Sequence, residues 1–519
     1  MCRQPAVIPA LLALAMAWAV GPLLPALLAG QIPGSPYTDL YPSVWGLGWF
    51  IAQQPGLPAW CTDLAAPGGM PFYYSSPIHG WVGWPVAGTA RALGFDGVYW
   101  AYAFTLVTAR FATVIVTFAA VRTLGAATVP AVAGALLYGA SPFFHGYAVE
   151  GIVEGTDGWA LPFWVWAVAR PKTGAGAALL AAFALWICVL SSWYLGMVAC
   201  AGAGLWGFWN RRAWGSLLGL VGSLPLLLGF AGMAGGTRPL DATVRIAMGL
   251  QPLFQAPGWD RSNPFAISTW VGVAAPILVL SAFILRFRAG ERPRFLPEGA
   301  LVIGVLLTLL LSTGWGPWYD LPVLRSVRFP YRWHAGTLLL LAILLARVTT
   351  RAGGVWPWLA LLPWIEGYLL SPIEPVLPGS PAKVSGIYAS VRGPLLLDLP
   401  GPVALPPGVV NPSRPRARYL LYAQGFHPAD SPWAPDFNGV SAAPRPPWLA
   451  GFAAWEPILD NSGAPMDMEG ARAAGVTQIL VHVRELRGEA PLLLQALKAA
   501  GCIIEAEQDG MVLLGLPTH

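Results

Sequence analysis

The chain has 519 residues, of which 56% are hydrophobic and 11% are charged, and its formal net charge is +5 at pH 7. Soluble domains carry about 25% charged residues, so an ordinary soluble protein is excluded. The cations are scattered arginines rather than a basic stripe, which argues against nucleic acid as a partner. Apolar segments recur near the roughly 20 residues that cross a bilayer. The sequence therefore predicts a polytopic α-helical membrane protein.

About eleven transmembrane helices are predicted in the first 370 residues. They lie near 6–30, 95–119, 125–141, 156–169, 174–190, 192–209, 214–233, 266–285, 298–314, 332–347 and 353–370. If the N-terminus is cytoplasmic, every cytoplasmic turn carries arginine or lysine, as the positive-inside rule requires. Most acids before residue 370 then map to the outer side. The pattern predicts an N-in, C-out protein of the inner (cytoplasmic) membrane with an extracytoplasmic active face.

The first outer loop, 31–94, is long and rich in Trp, Tyr, Pro and Gly. Its stretch "YTDLYPSVWGLGWF" holds Asp39 a few residues beyond the first span. The spacing of Trp45 and Trp49 predicts a helix lying in the membrane interface. A carboxylate at this boundary can serve as a general base, and a helix cap or a solvated loop acid is the structural alternative. His79 follows in the same loop, near the outer end of a span.

A second polar group, "HGYAVEGIVEGTDGW", lies between the third and fourth spans and holds Glu150, Glu154 and Asp157. Glu150 and Glu154 are four residues apart and would share a helix face, where like charges repel unless a cation joins them. A substrate site is one interpretation of these acids. An exposed polar loop, with Asp157 capping the next helix, is the other.

The third group is "LRSVRFPYRWH", with Arg325, Arg328 and Arg332 on the predicted outer side. Three arginines beside an apolar span need an anionic partner. That partner is either the acids described above or a lipid phosphate, which guanidinium binds in a bidentate manner. The histidines near the outer span ends leave metal binding open, because their spacing dictates no ligand set.

From residue 371 onwards, charged residues return and the pattern changes to that of a small extracytoplasmic α/β domain, 371–519. "PLLLDLP", "RYLLYAQ", "QILVHV" and "MVLLGL" predict strands, whereas "MEGARAAG" and "PLLLQALKAAG" predict helices. Cys61 and Cys502 fall on the same side of the membrane, so pairing between them stays open.

These features together resemble the GT-C superfamily of membrane glycosyltransferases, which includes protein O-mannosyltransferases and aminoarabinose transferases. The resemblance covers residues 1–370 as architecture, and "YTDLYPSVWGLGWF" looks like the family's first outer loop, with Asp39 at the position of the catalytic acid. It implies an inverting transfer of sugar from a polyprenyl-phosphate donor to an extracytoplasmic acceptor hydroxyl.

The resemblance also implies roles for the other polar groups. Asp39 would take the acceptor's proton, and the three arginines would stabilise the departing lipid phosphate. The remaining residues, His79, Glu150, Glu154 and Asp157, would bind the sugar or a divalent metal ion. Some members carry an acidic pair in the first loop, but here Asp39 precedes Leu40, so metal dependence stays open.

Two other classes of function remain. A transporter or flippase of a lipid-linked glycan would need ionisable residues near mid-membrane, and the predicted spans hold almost none. A non-enzymatic envelope assembly protein would need no particular chemistry from its acids. The sequence does not name the sugar, the acceptor, the prenyl length or the oligomeric state.

Overall fold

The structure is a computed structural model of the chain. It describes residues 7–36, 39–57, 60–72, 74–225, 272–288, 295–314, 319, 330–370, 374–401, 422–433, 446–453, 455 and 465–517. Arg325 and Arg328, two of the predicted phosphate ligands, lie outside these residues.

The described elements follow in chain order. The elements before residue 220 are α1 (Val7–Val20), α2 (Leu24–Leu28), β1 (Gln31–Pro33), α3 (Leu40–Ala52), β2 (Trp60–Cys61), β3 (Met70–Pro71), α4 (Pro77–Ala92), α5 (Gly97–Thr123), α6 (Thr128–Gly139), α7 (Pro142–Val149), α8 (Val153–Thr156), α9 (Ala160–Ala169), α10 (Ala175–Ser191), α11 (Trp193–Gly207) and α12 (Arg211–Ser216). The later elements are α13 (Ala274–Arg288), α14 (Phe295–Ser312), α15 (His334–Ala352), α16 (Trp356–Leu359), α17 (Leu362–Leu369), β4 (Gly379–Pro381), β5 (Leu395–Leu399), α18 (Leu449–Ala453), α19 (Met468–Ala473), β6 (Val476–His482), α20 (Ala490–Ala499), β7 (Ile503–Gln508) and β8 (Met511–Gly515).

The chain divides into two compact units, and the first consists of the described parts of 7–35, 75–225 and 272–380. This helical unit is built around α5, which packs against α1, α4, α6 and α9. Asp96 begins α5, because its carboxylate accepts hydrogen bonds from the backbone N–H groups of Val98 and Tyr99 at 2.9 and 3.0 Å. Close helix contacts depend on small residues: a Cβ at Gly134 of α6 would lie 2.9 Å from the carbonyl oxygen of Ala342.

Two helices, Gly97–Thr123 and Tyr331–Ala352, are long and apolar enough to cross a membrane, and four shorter apolar helices accompany them in the described part of the chain. Each predicted span that has described residues contains a helix. Several of these helices are short, such as α6 with 12 residues and a length of about 18 Å. The number of spans and their orientation stay predictions.

Two described helices of eight or more residues in the first unit fall outside the predicted spans. The first outer loop, predicted as 31–94, contains the 16-residue helix α4, and the turn between the third and fourth spans contains α7. The predicted spans hold almost no charge, and the exception is Arg110, which occupies the middle of α5 and is buried.

The second unit consists of the described parts of 36–74 and 381–519. Its sheet has the order β5-β6-β8-β7, in which β5 and β6 are parallel and the other neighbours are antiparallel. All five side chains of β5 are buried. The apolar side chains of one sheet face pack with Leu493 and Leu497 of α20, and Leu396 and Leu480 on the other face pack around Tyr388.

Residues of the first outer loop are built into this second unit. The backbone N–H groups of Ala65 and Ala66 donate to the carbonyls of Trp433 and Ser431, and the Tyr41 ring of α3 stacks on Tyr422 with centroids 4.9 Å apart. The predicted helix is present as α3. It is buried on nearly every side rather than on one, with Trp45 and Trp49 only 6% and 5% exposed.

Most of the predicted elements of the C-terminal region are present, and two predictions there need correction. Tyr422 and Ala423 of the predicted strand "RYLLYAQ" lie in a helical turn, while residues 418–421 lie outside the described part. The edge strand β7 was not predicted, because the charges of "IIEAEQ" masked its alternation. Cys61 and Cys502 are free thiols, so the pairing left open by the sequence is not formed.

Candidate active site

The acids between α6 and α9 lie inside the first unit rather than on its surface. Asp157 is fully buried and Glu150 is 3% exposed. Two glycines make this folding possible, because a Cβ at Gly155 would lie 2.0 Å from the Tyr147 ring and a Cβ at Gly158 would lie 2.7 Å from the Phe144 ring. The aromatic rings of α7 therefore pack directly on the backbone that carries the acids.

Asp157 is held by two hydrogen-bond donors and lies against a histidine from another segment. The Ser76 hydroxyl donates to Oδ2 at 2.9 Å, the Trp159 indole donates to Oδ1 at 3.0 Å, and His79 Nε2 lies 2.9 Å from Oδ1. Both ring nitrogens of His79 are buried, and in the described part of the chain neither makes a hydrogen bond of good geometry. Because Nε2 is already close to the carboxylate, Nδ1 is the nitrogen available to a bound group.

Glu154 forms a second arrangement, with Arg332. The guanidinium Nη1 donates to Glu154 Oε1 at 3.0 Å, and the two side chains are 8% and 18% exposed. The guanidinium also lies 4.3 Å from the centre of the Tyr194 ring and 5.7 Å from that of Tyr147, within the range of cation–π attraction. Arg332 thus has both a carboxylate and aromatic faces as partners.

One short segment joins the two arrangements. Ser75 donates to Glu154 Oε2 at 3.2 Å, while the next residue, Ser76, donates to Asp157. We refer to His79, Asp157, Glu154 and Arg332, with Ser75 and Ser76, as the buried polar cluster. It brings together residues from three regions that the sequence treated separately. It also shows two roles that were missed, the serines of "YYSSPIH" that precede α4.

A small cavity opens beside this cluster. Its wall includes Glu154, Arg332, Ser192 and the aromatic side chains of Phe143, Tyr147 and Tyr194. Aromatic faces next to a carboxylate and a guanidinium are the kinds of group that bind the apolar ring face and the anionic end of a sugar phosphate. The cavity itself measures only about 10 Å³, room for about one water molecule, and Glu154 contacts Arg332 in its wall.

The remaining predicted residues are placed as follows. Glu150 is the C-cap residue that follows α7, and its side chain is buried. Asp39 belongs to the second unit, where it occupies the N-cap position of α3 but makes no side-chain capping hydrogen bond. The capping alternative from the sequence is therefore wrong for this residue, which is partly exposed.

The structure does not supply a metal-binding set. In the described ranges, no three His, Cys, Asp or Glu side chains converge closely enough to hold a metal ion. Two of the histidines considered as ligands have other partners or surroundings: His145 contacts Arg110 and the Glu374 carbonyl, and His334 packs edge-on against Phe143.

Solved structures of two glycosyltransferases have a fold similar to that of this chain, as expected from the resemblance to the GT-C superfamily. The cryo-EM structure of the arabinofuranosyltransferase AftD from Mycobacteria matches with a TM-score of 0.62 at 15% identity, over 100% of this chain and 40% of that one. The chain thus spans about two-fifths of AftD.

A second group of similar structures comes from the oligosaccharyltransferase of Archaeoglobus fulgidus. Its structure with a tethered acceptor peptide gives a TM-score of 0.55 at 12% identity, over 93% of this chain and 70% of that one. The AglB complex with an inhibitory peptide and a dolichol-phosphate gives 0.52 at 12%, over 92% and 69%. No protein-family model matches the sequence, and no curated protein matches it. At these identities the likeness concerns the fold.

Proposed function

We propose that the chain is an inverting glycosyltransferase that moves a sugar from a polyprenyl-phosphate donor to an extracytoplasmic acceptor hydroxyl. The observation that supports it most is the buried polar cluster of carboxylates, imidazole and guanidinium, on a fold shared with AftD and AglB. The AglB structure with dolichol-phosphate favours a lipid-phosphate donor, and AftD makes a pentofuranosyl donor the first to test.

The reaction is a single displacement. Asp39 accepts the proton of the acceptor hydroxyl, the acceptor oxygen attacks the anomeric carbon from the face opposite the phosphate, and the bond between that carbon and the phosphate oxygen breaks. The lipid phosphate leaves with the bonding electrons, so no separate acid is required. A positioned base contributes about 10²–10⁴ in rate.

Charge on the departing phosphate is stabilised by arginines. Arg332 is the described member of the set, and Arg325 and Arg328 complete it in this proposal. The guanidinium of Arg332 is engaged with Glu154, so a phosphate oxygen takes the place of that carboxylate when the donor binds. Glu154 is then released towards the sugar hydroxyls, beside Glu150, Asp157 and His79.

The test uses the purified full chain in detergent with synthetic polyprenyl-phosphate sugars, and mass spectrometry detects released polyprenyl phosphate. Asp39→Asn is expected to lower transfer by at least 10²-fold, while Asp63→Asn, which changes another acid of the same loop, retains it. Arg328→Ala is expected to raise the donor KM. Full transfer by Asp39→Asn would remove this residue from the mechanism, and no release from any donor by the wild-type chain would count against the whole proposal.

A further inference from the structure

Arg110 is a buried cation in the middle of the longest described helix. It is the fourteenth residue of the 27-residue helix α5, and only 3% of its surface is exposed. A cation inside a membrane-spanning helix is costly to insert, so its presence calls for a specific role. The sequence signal is a single arginine in a long apolar run, a signal that the positive-inside pattern does not explain.

The contacts of Arg110 are unusual because no carboxylate takes part. Among the described residues, Nη1 lies 3.2 Å from His145 Nδ1, Nη2 donates to the Trp18 carbonyl at 3.0 Å, and the guanidinium lies 4.5 Å from the centre of the Trp18 ring. None of these partners is an anion. The guanidinium therefore acts here as a set of fixed donors rather than as half of an ion pair.

These contacts fix both the tautomer and the direction of His145. Arginine offers only donors, so Nδ1 of His145 must accept, and the ring proton must sit on Nε2. That nitrogen lies 2.8 Å from the Glu374 carbonyl, to which it donates. The imidazole of α7 is thus held from one side by α5 and from the other side by the segment that follows α17.

The rest of α7 belongs to the candidate site. Phe143, Phe144 and Tyr147 line the cavity, whereas Arg110 and His145 do not. The Tyr147 ring also lies 5.7 Å from the Arg332 guanidinium. A rotation of this eight-residue helix would therefore move the aromatic wall away from the Glu154–Arg332 pair.

We propose that Arg110 is a positioning residue, which holds α7 through His145 so that the aromatic wall of the cavity stays aligned with Glu154 and Arg332. Its catalytic consequence rests on the proposed glycosyltransferase function, whereas its structural part does not. Small misplacements of groups around a reacting centre cost about 10²-fold in rate.

The test is Arg110→Met, which removes the donors but keeps a long apolar side chain. The substitution leaves no opposite charge behind and removes the desolvation cost of the guanidinium, but His145 Nδ1 and the Trp18 carbonyl lose their donor. Because these two effects oppose each other, we expect the detergent-solubilised variant to unfold within a few degrees of the wild type. Its kcat for release of polyprenyl phosphate should fall by about 10–100-fold, with less than a threefold change in the donor KM. Arg110→Lys should recover part of the loss, since an ammonium can still donate to His145.

The matched control is Arg122→Met at the far end of the same helix, where the arginine donates to the Ala126 carbonyl of the following turn. It should leave kcat unchanged. Hydrogen–deuterium exchange of the peptide covering 142–158 provides a readout that needs no substrate, and it should rise in Arg110→Met but not in Arg122→Met. Unchanged exchange, or equal loss of stability and activity, would overturn the positioning role. Raised exchange in a chain without transfer activity would support the structural part and count only against the proposed function.

Discussion

The buried pair between Arg332 and Glu154 leads to a quantitative prediction for Arg332→Met. The substitution leaves the Glu154 carboxylate, only 18% exposed, with a hydrogen bond from the Ser75 hydroxyl at 3.2 Å. Removing one member of a buried pair costs about 3–5 kcal/mol, because the other charge stays buried without compensation. Since Glu154 is partly hydrated, we expect the lower end, about 3 kcal/mol, or roughly a 10²-fold shift towards the unfolded state.

The assay is SDS-induced unfolding in mixed micelles, followed by tryptophan fluorescence. The double variant Arg332→Met with Glu154→Gln removes both charges and should recover most of the lost stability. Coupling between the two positions should therefore exceed about 1.5 kcal/mol in a double-mutant cycle. If the single and double variants unfold at the same SDS fraction, the pair does not stabilise the fold and the reasoning from burial is refuted.

Two further predictions concern Gly155 and Asp430. Gly155→Ala should destabilise the protein by about 1–3 kcal/mol, because its Cβ would overlap an aromatic ring of α7. The control is Gly176→Ala in α10, where the added Cβ meets no atom and no loss of stability is expected. Thermal unfolding of both variants measures the difference. Burial and the charge of Asp63 raise the pKa of Asp430. The folded state therefore favours the protonated acid, and the protein loses folding stability as the pH rises through the raised pKa. Asp430→Asn should therefore be more stable than the wild type at pH 7 but not at pH 3, and equal midpoints at pH 7 would contradict it.

The helical class was predictable because hydrophobic runs determine where helices form, whatever their neighbours are. Helix α4 was not predicted because "SSPIHGWVGWP" is rich in glycine and proline. Pro77 is nevertheless compatible with the helix, because it lies in the first turn, where its missing N–H costs nothing. Helix α7 was not predicted because eight residues are too few to show a recognisable helical periodicity of apolar residues.

The candidate residues could be found one by one, and the acids were one of the two partners considered for the arginines, but which acid pairs with which arginine could not be predicted. Arg332 and Glu154 are 178 positions apart, and no local pattern connects them. A sequence also does not separate a buried acid from an exposed loop acid, since both stand in polar stretches. Burial of Asp157 depends on Ser76, His79 and Trp159 arriving together. Arg110 was overlooked because one cation hardly changes the hydropathy of a 27-residue helix.

The pair between Arg332 and Glu154 bears on donor binding in the proposed reaction. If the donor is a lipid phosphate, it competes with Glu154 for the same guanidinium, which exchanges one anionic partner for another. The desolvation cost of the cation is then not incurred a second time on binding. Under this proposal donor binding is coupled to the release of Glu154, because a ligand shifts an equilibrium by its differential affinity for the two states.

This competition gives the two partners opposite effects on binding. Glu154→Gln keeps a hydrogen-bond acceptor for Arg332 but removes the competing charge, so it should tighten binding of the product, polyprenyl phosphate, by about tenfold, which corresponds to 1.4 kcal/mol. Arg332→Met should weaken the same binding, because the guanidinium is lost. Native mass spectrometry of the two variants with increasing polyprenyl phosphate measures both changes. If Glu154→Gln weakens binding as Arg332→Met does, the carboxylate holds the ligand directly and does not compete with it.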